Sequence, residues 1–260
     1  MNNSEPRTEN RELRLAMLGM IEGNGHPYSW SGIINVTSDV IVTNYTLTIQ
    51  SNTLVLLNGV GSGTVGVDLF VNANGSIQSL GTEAHPVTIT CSNQFFTNRW
   101  GQIRHNSSQP SLYRHTFIHR AGRAVGEGHT SQAAAVRTAG STLTFDTCTI
   151  SDLCETTSTA PGFGTPAKVM FALTSVLSFN DCIFQRARTG PEIDQTALLF
   201  TNSYSMEMRG PDDSDGFYVH AQQGGQTVKF ADSVFAMGDD DGIDTLGPVL
   251  LIEGCIFRQW

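Results

Sequence analysis

The stretch Leu177-Ser-Phe-Asn-Asp-Cys-Ile-Phe184 decides the fold, because the chain repeats it. Leu143-Thr-Phe-Asp-Thr-Cys-Thr-Ile150, Val228-Lys-Phe-Ala-Asp-Ser-Val-Phe235 and Leu250-Leu-Ile-Glu-Gly-Cys-Ile-Phe257 lie over it position by position. Each reads apolar, any, apolar, two turn-type residues, Cys or Ser, any, apolar. Weaker copies run from Ser111 to Ile118 and from Leu198 to Ser205. Successive starts at Leu143, Leu177, Leu198, Val228 and Leu250 are 34, 21, 30 and 22 residues apart. A constant strand core with unequal intervals describes one unit restacked, with the length differences pushed into loops on one side.

The N-terminal half follows the same pattern in different residues. Thr46–Gln50 and Asp68–Asn72 align at an offset of 22, and Asn58-Gly59 and Asn74-Gly75 mark corners. Strands stacked about 4.8 Å apart pair their backbone groups between coils. The expectation is an all-β chain, a right-handed parallel β-helix (a β-solenoid) of seven or eight coils. It forms a single domain over 36–260, with an atypical N-terminal segment at 1–35.

Composition agrees. The 260 residues carry 26 Gly and only 15% charged residues, a balance that favours strands and turns over helices. The net charge is −9, and the only lysines are Lys168 and Lys229, so nucleic acid is not an expected partner. No run reaches the roughly 18 apolar residues of a membrane helix. The apolar stretch Leu15–Ile21 is too short for a secretory leader and lacks a cleavage site. Five cysteines without a CxxC pair argue against zinc and against a disulfide framework. Cys148, Cys182 and Cys255 share one repeat position and are expected as a column of small core side chains.

The segment Asn74–Thr90, with Trp100-Gly-Gln-Ile103 after it and the repeated Cys-containing strands, resembles right-handed parallel β-helix proteins of the pectin-lyase-like superfamily. Asp239-Asp-Asp-Gly-Ile-Asp-Thr-Leu-Gly247 is similar to loops of large secreted bacterial β-helix proteins. The resemblance implies the fold and an extracellular or cell-envelope setting. It leaves activity open, since such scaffolds include lyases, hydrolases, epimerases, adhesins and spacers. Separately, residues 13–35 resemble the opening strand and turn of a Rossmann-type sugar dehydrogenase, with Gly19, Gly23 and Gly25 at the dinucleotide turn. No crossover helix, second βα unit or ribose-binding acid follows, so NAD binding is not expected, and an NAD-dependent dehydrogenase fragment stays only as a remote alternative.

Chemistry is sought in the acids that follow the repeat strands. Glu155, then Glu192 and Asp194, then Asp212, Asp213 and Asp215, then Asp239, Asp240, Asp241 and Asp244 recur at similar offsets and are expected to line one loop face. Crowded carboxylates hold a cation or share a proton. Calcium, which takes six to eight oxygens, suits Asp212, Asp213, Asp215, Asp239, Asp240, Asp241 and Asp244. The plain alternative is a solvated turn in which Asp side chains cap backbone amides.

The expected function is a carbohydrate-facing or structural, adhesive scaffold, monomeric, with polysaccharide or cell-surface glycan as partner. The alternative is a polysaccharide lyase or glycoside hydrolase acting on acidic glycans. Its candidate catalytic residues are Asp239, Asp240 and Asp213, with Arg209 as a lyase base. Gly238-Asp-Asp240 resembles part of the polygalacturonase motif, but the Gly-His-Gly and Arg-any-Lys companions are absent; Gly128-His129 is followed by Thr130. The chain stops at Trp260, three residues past the last copy, and is expected to be a fragment of a longer secreted protein.

Overall fold

The computed structural model describes residues 21–22, 28–59, 66–92, 99–153, 167–210, 213–221, 225–247 and 249–260. Its regular elements there are all strands, arranged as three parallel sheets of nine strands each. The chain visits the first, second and third sheet in turn and then returns to the first. Each strand therefore pairs with its counterpart one coil earlier and one coil later. This is a parallel β-helix, and right-handed coiling is the sense that twisted strands give parallel crossovers.

The repeated octapeptides account for the second sheet and the start of the third. Leu47, Ile77, Ser111, Leu143, Leu177, Leu198, Val228 and Leu250 form one inward row of the second sheet. Two residues on, Tyr113, Phe145, Phe179, Phe200 and Phe230 form the next row. The Tyr113 and Phe145 rings lie 4.7 Å apart and nearly parallel, and Phe145 lies 5.1 Å from Phe179. Phe184, Phe217 and Phe235 fill the axis from the other sheets, all fully buried.

Nine strands per sheet exceed the expected seven or eight coils. The difference arises partly ahead of Val36. Tyr28–Trp30 pairs with Thr46–Gln50, and Ile33–Val36 pairs with Leu54–Leu57, with Ile34 and Val36 turned into the core. Residues 13–20, Gly23 and Gly25 lie outside the described residues.

The corners differ in kind. Between the second and third sheets the turn is tight, and the residue before the Cys/Ser/Thr position is left-handed: Asn52, His115, Thr147, Asp181, Asn202, Asp232 and Gly254. The next side chain then donates back to the carbonyl two residues earlier, as Cys182 Sγ does to Asn180 O at 3.3 Å and Ser203 Oγ to Thr201 O at 2.6 Å. Ser203 Oγ also accepts the Cys182 amide at 2.9 Å, linking one coil to the next. Cys148 and Cys182 are buried free thiols in this column, as expected, and Cys255 is half-buried at its end.

Connections from the third sheet to the first carry most of the length variation. They range from the short step between Ile183–Ala187 and Pro191–Asp194 to the long connections between Thr116–His119 and Ala134–Ala139 and, longer still, between Thr149–Ser151 and Lys168–Leu173.

Candidate functional site

Two neighbouring clusters sit where these connections meet the outer face of the first sheet. The first is the acidic corner of the last two coils. Asp241 donates its amide to Asp215 Oδ1 at 3.2 Å, and Asp213 donates its amide to Asp240 Oδ2 at 3.0 Å. The Gly216 amide bonds Asp241 O at 2.8 Å, so the two loops are stitched backbone to backbone as well. One carboxylate oxygen from each of Asp215, Asp240 and Asp241 falls within 4.8 Å of the others.

Asp215 is only 2% exposed, and its Oδ2 has no hydrogen-bond partner. Burial, with the charges of Asp240, Asp244 and Asp241 added, pushes its carboxyl up to about 7 despite the Asp241 amide. Asp241 is raised for the same reasons, burial first and then Asp240 and Asp244.

The other sequence candidates divide around this triad. Asp239 turns to the side, accepting from Arg209 Nη1 at 2.6 Å and from the Gly210 amide at 3.1 Å. The proposed base Arg209 is therefore held in an ion pair. Asp213 joins through its backbone, and Asp244 opens the first-sheet strand Asp244–Leu246. Asp212 and Glu155 lie outside the described residues. Glu192 and Asp194 are not loop residues. After the short step from Ala187 they fall within the strand Pro191–Asp194.

The second cluster was missed by sequence reasoning. In the first sheet, Arg104, Arg137, Phe171, Glu192, Tyr218 and Asp244 form one row on the outer face. Glu192 and Lys168 are fully buried and form an ion pair. Lys168 also donates to Glu127 O at 2.8 Å. Glu192 accepts the His129 amide at 2.6 Å and the Thr130 hydroxyl at 3.2 Å, so the Glu127–Thr130 stretch is drawn down onto the sheet.

The Glu127 carboxylate spans Arg104 at 3.5 Å and Arg137 at 3.1 Å. His220 Nε2 lies 3.4 Å from Glu192, and its Nδ1 lies 4.0 Å from Asp194. The His129 and Tyr218 rings are 5.2 Å apart, and Tyr218 and His220 are 5.0 Å apart. Burial works to raise the Glu192 carboxyl, but His220, Lys168 and the His129 amide outweigh it and hold it at about 2. Burial lowers the Lys168 ammonium, opposed by Glu192 and Glu127.

The one sequence signal for this cluster was a lysine, one of two in the chain, opening the otherwise apolar strand Lys168–Leu173. Gly128-His129-Thr130, unremarkable as a motif, is the segment that Glu192 anchors.

Chemically, three carboxylates that each bring an oxygen within 4.8 Å of the others suit a shared cation or a shared proton.

No protein-family model and no curated protein matches the chain. Among solved structures it is similar to a "putative glycosyl hydrolase" from Parabacteroides merdae. The two share 13% identity and a TM-score of 0.37, over 95% of this chain and 85% of the other. That degree of likeness says nothing about activity, which has to be read from the residues.

Proposed function

We propose that this protein is a carbohydrate-facing β-helix scaffold of the extracellular or cell-envelope kind, a monomer that binds polysaccharide rather than cleaving it. The outer face of the first sheet around Asp194, His220 and Asp244, flanked by the Glu127–Thr130 stretch, is the surface that would meet the glycan. The observation that carries the reading is that several charged groups there and at the acidic corner are already paired. Glu192 is paired with Lys168, Arg209 with Asp239, and Asp240 with the Asp213 amide. The resemblance of the repeated strands to pectin-lyase-like β-helix proteins supports a glycan partner. Among the described residues no helix is long and apolar enough to cross a membrane.

Incubation with pectin, polygalacturonate and alginate, with and without calcium, tests this. Retardation in affinity electrophoresis without new reducing ends or near-ultraviolet absorbance is the expected result. Release of unsaturated products would replace binding with lyase activity.

A second reading, an enzyme acting on acidic glycans, draws on one observation. With its carboxyl pushed up to about 7, Asp215 can stay protonated beside Asp240, as a general acid must. Loss of any turnover in Asp215→Asn, with binding retained, is the result that reading requires.

A further inference from the structure

We propose that Asp215, Asp240 and Asp241 form a binding site for one hard divalent cation of the calcium class, clamping the corner loops of the last two coils together. Oxygen ligands lie about 2.3–2.6 Å from calcium, so two ligands of one ion are at most about 5 Å apart. The three carboxylates, each with an oxygen within 4.8 Å of the others, meet that limit without rearrangement.

Crowded acids alone would not make a site. The second observation is Asp215 itself, 2% exposed, with Oδ2 buried and no donor upon it. A buried ionised carboxylate needs a counter-charge, and among the described residues no cation is seen to act on Asp215. The groups acting on Asp215 are Asp240, Asp241, Asp244 and one backbone amide, while Arg209, the nearby cation along the chain, is held by Asp239.

The donor set is all carboxylate, without imidazole or thiolate, which selects calcium, magnesium or manganese over zinc or copper. The Asp215 and Asp241 carbonyls already accept from the Gly190 and Gly216 amides, so water completes the shell. Asp215 belongs to one coil and Asp240 and Asp241 to the next, so a bound ion ties the terminal coil down. The proposal does not depend on glycan binding, and its test uses no glycan.

Trp260 supplies a reporter. Its indole packs against the loop glycines. A side chain built at Gly216 would come within 3.1 Å of the ring, and one at Gly238 would overlap it. Terbium(III), a luminescent ion of calcium's size and ligand preference, bound at the triad should therefore emit on tryptophan excitation.

The full chain is stripped with EDTA and titrated with terbium, then with calcium, magnesium or manganese as competitors, and thermal unfolding is followed in parallel. Saturable emission displaced by calcium is expected, with a rise in melting temperature on adding calcium. Asp215→Asn and Trp260→Phe should each lose the emission, and Asp215→Asn should also lose the calcium-dependent shift. Asp181→Asn, which removes an exposed acid at a distant corner, should keep both. Circular dichroism shows whether each variant is folded. Three results overturn the proposal: no calcium-dependent shift in the wild type, an equal shift in folded Asp215→Asn, or emission that survives in Trp260→Phe.

Discussion

Thr147 holds φ at 54°, a left-handed conformation that a β-branched side chain adopts at a cost. Its counterparts in neighbouring coils are His115, Asp181, Asn202 and Gly254, several of them residue types that tolerate this region. Thr147→Asn should therefore stabilise the protein by up to about 1 kcal/mol, read as a higher urea midpoint with unchanged slope.

The position that follows was legible in the sequence as small and buried. Its reason was not. Cys, Ser and Thr share a donor that reaches the carbonyl two residues back, and only the backbone geometry reveals that need. Lys168 and Glu192 show the same limit more sharply. They are 24 residues apart, and only the coil length brings them together. Removing one charge leaves the other buried, so Lys168→Met should cost about 3–5 kcal/mol. The double change Lys168→Met/Glu192→Leu should recover much of that loss in chemical unfolding. A strictly additive result would mean the two charges do not act as a pair.

At the scale of elements, the second sheet was the most legible, because its inward rows are the repeated octapeptides themselves. Phe200 sits at their centre, within 6.2 Å of Phe179, Phe184, Phe217, Phe230 and Phe235 by ring centroid. Phe200→Ala should destabilise by about 3–5 kcal/mol, measured by equilibrium unfolding. A loss below about 1 kcal/mol would show that the neighbouring rings close the cavity.

The acidic corner was legible in part. Stacking correctly brought Asp215 against Asp240 and Asp241. It also placed Glu192 and Asp194 in the same stripe, which failed because the connection after Ala187 is too short to form a loop. The first sheet's outer row escaped notice for a related reason. Its residues are set by loops of unequal length, so no fixed spacing marks them.

At the scale of the whole molecule, three buried groups shape stability with pH, two in one direction and one in the other. His105 lies on the inner face, hydrogen-bonded to the Tyr113 hydroxyl at 2.8 Å, and burial lowers its imidazole from 6.5 to about 3. The unfolded chain binds that proton first, so stability falls as pH drops from about 6.5 towards 3. Glu192, held at about 2 against an ordinary 4.5, adds a further loss below about pH 4.5.

Asp215 acts the other way. Its raised carboxyl makes the folded state bind the proton first, so stability falls as pH rises from 3.8 to about 7 and then levels. The His105 and Asp215 slopes oppose each other between about pH 3.8 and 6.5, so urea midpoints of the metal-free wild type should be nearly flat there, those of Asp215→Asn should rise with pH, and those of His105→Gln should fall.

Because each strand pairs only with the coil before and after it, the chain never has to bring distant segments together to add a layer. Each addition is one ring closure, whose entropy grows only with the logarithm of its length. Closing the 34-residue turn from Leu143 to Leu177 is harder than closing the 21-residue turn from Leu177 to Leu198 by just ~0.4 kcal/mol. Long excursions such as the one carrying His129 are thus nearly free in assembly. The molecule can grow like a zipper from its shortest, most aromatic turns, outward to the loops where its chemistry is displayed.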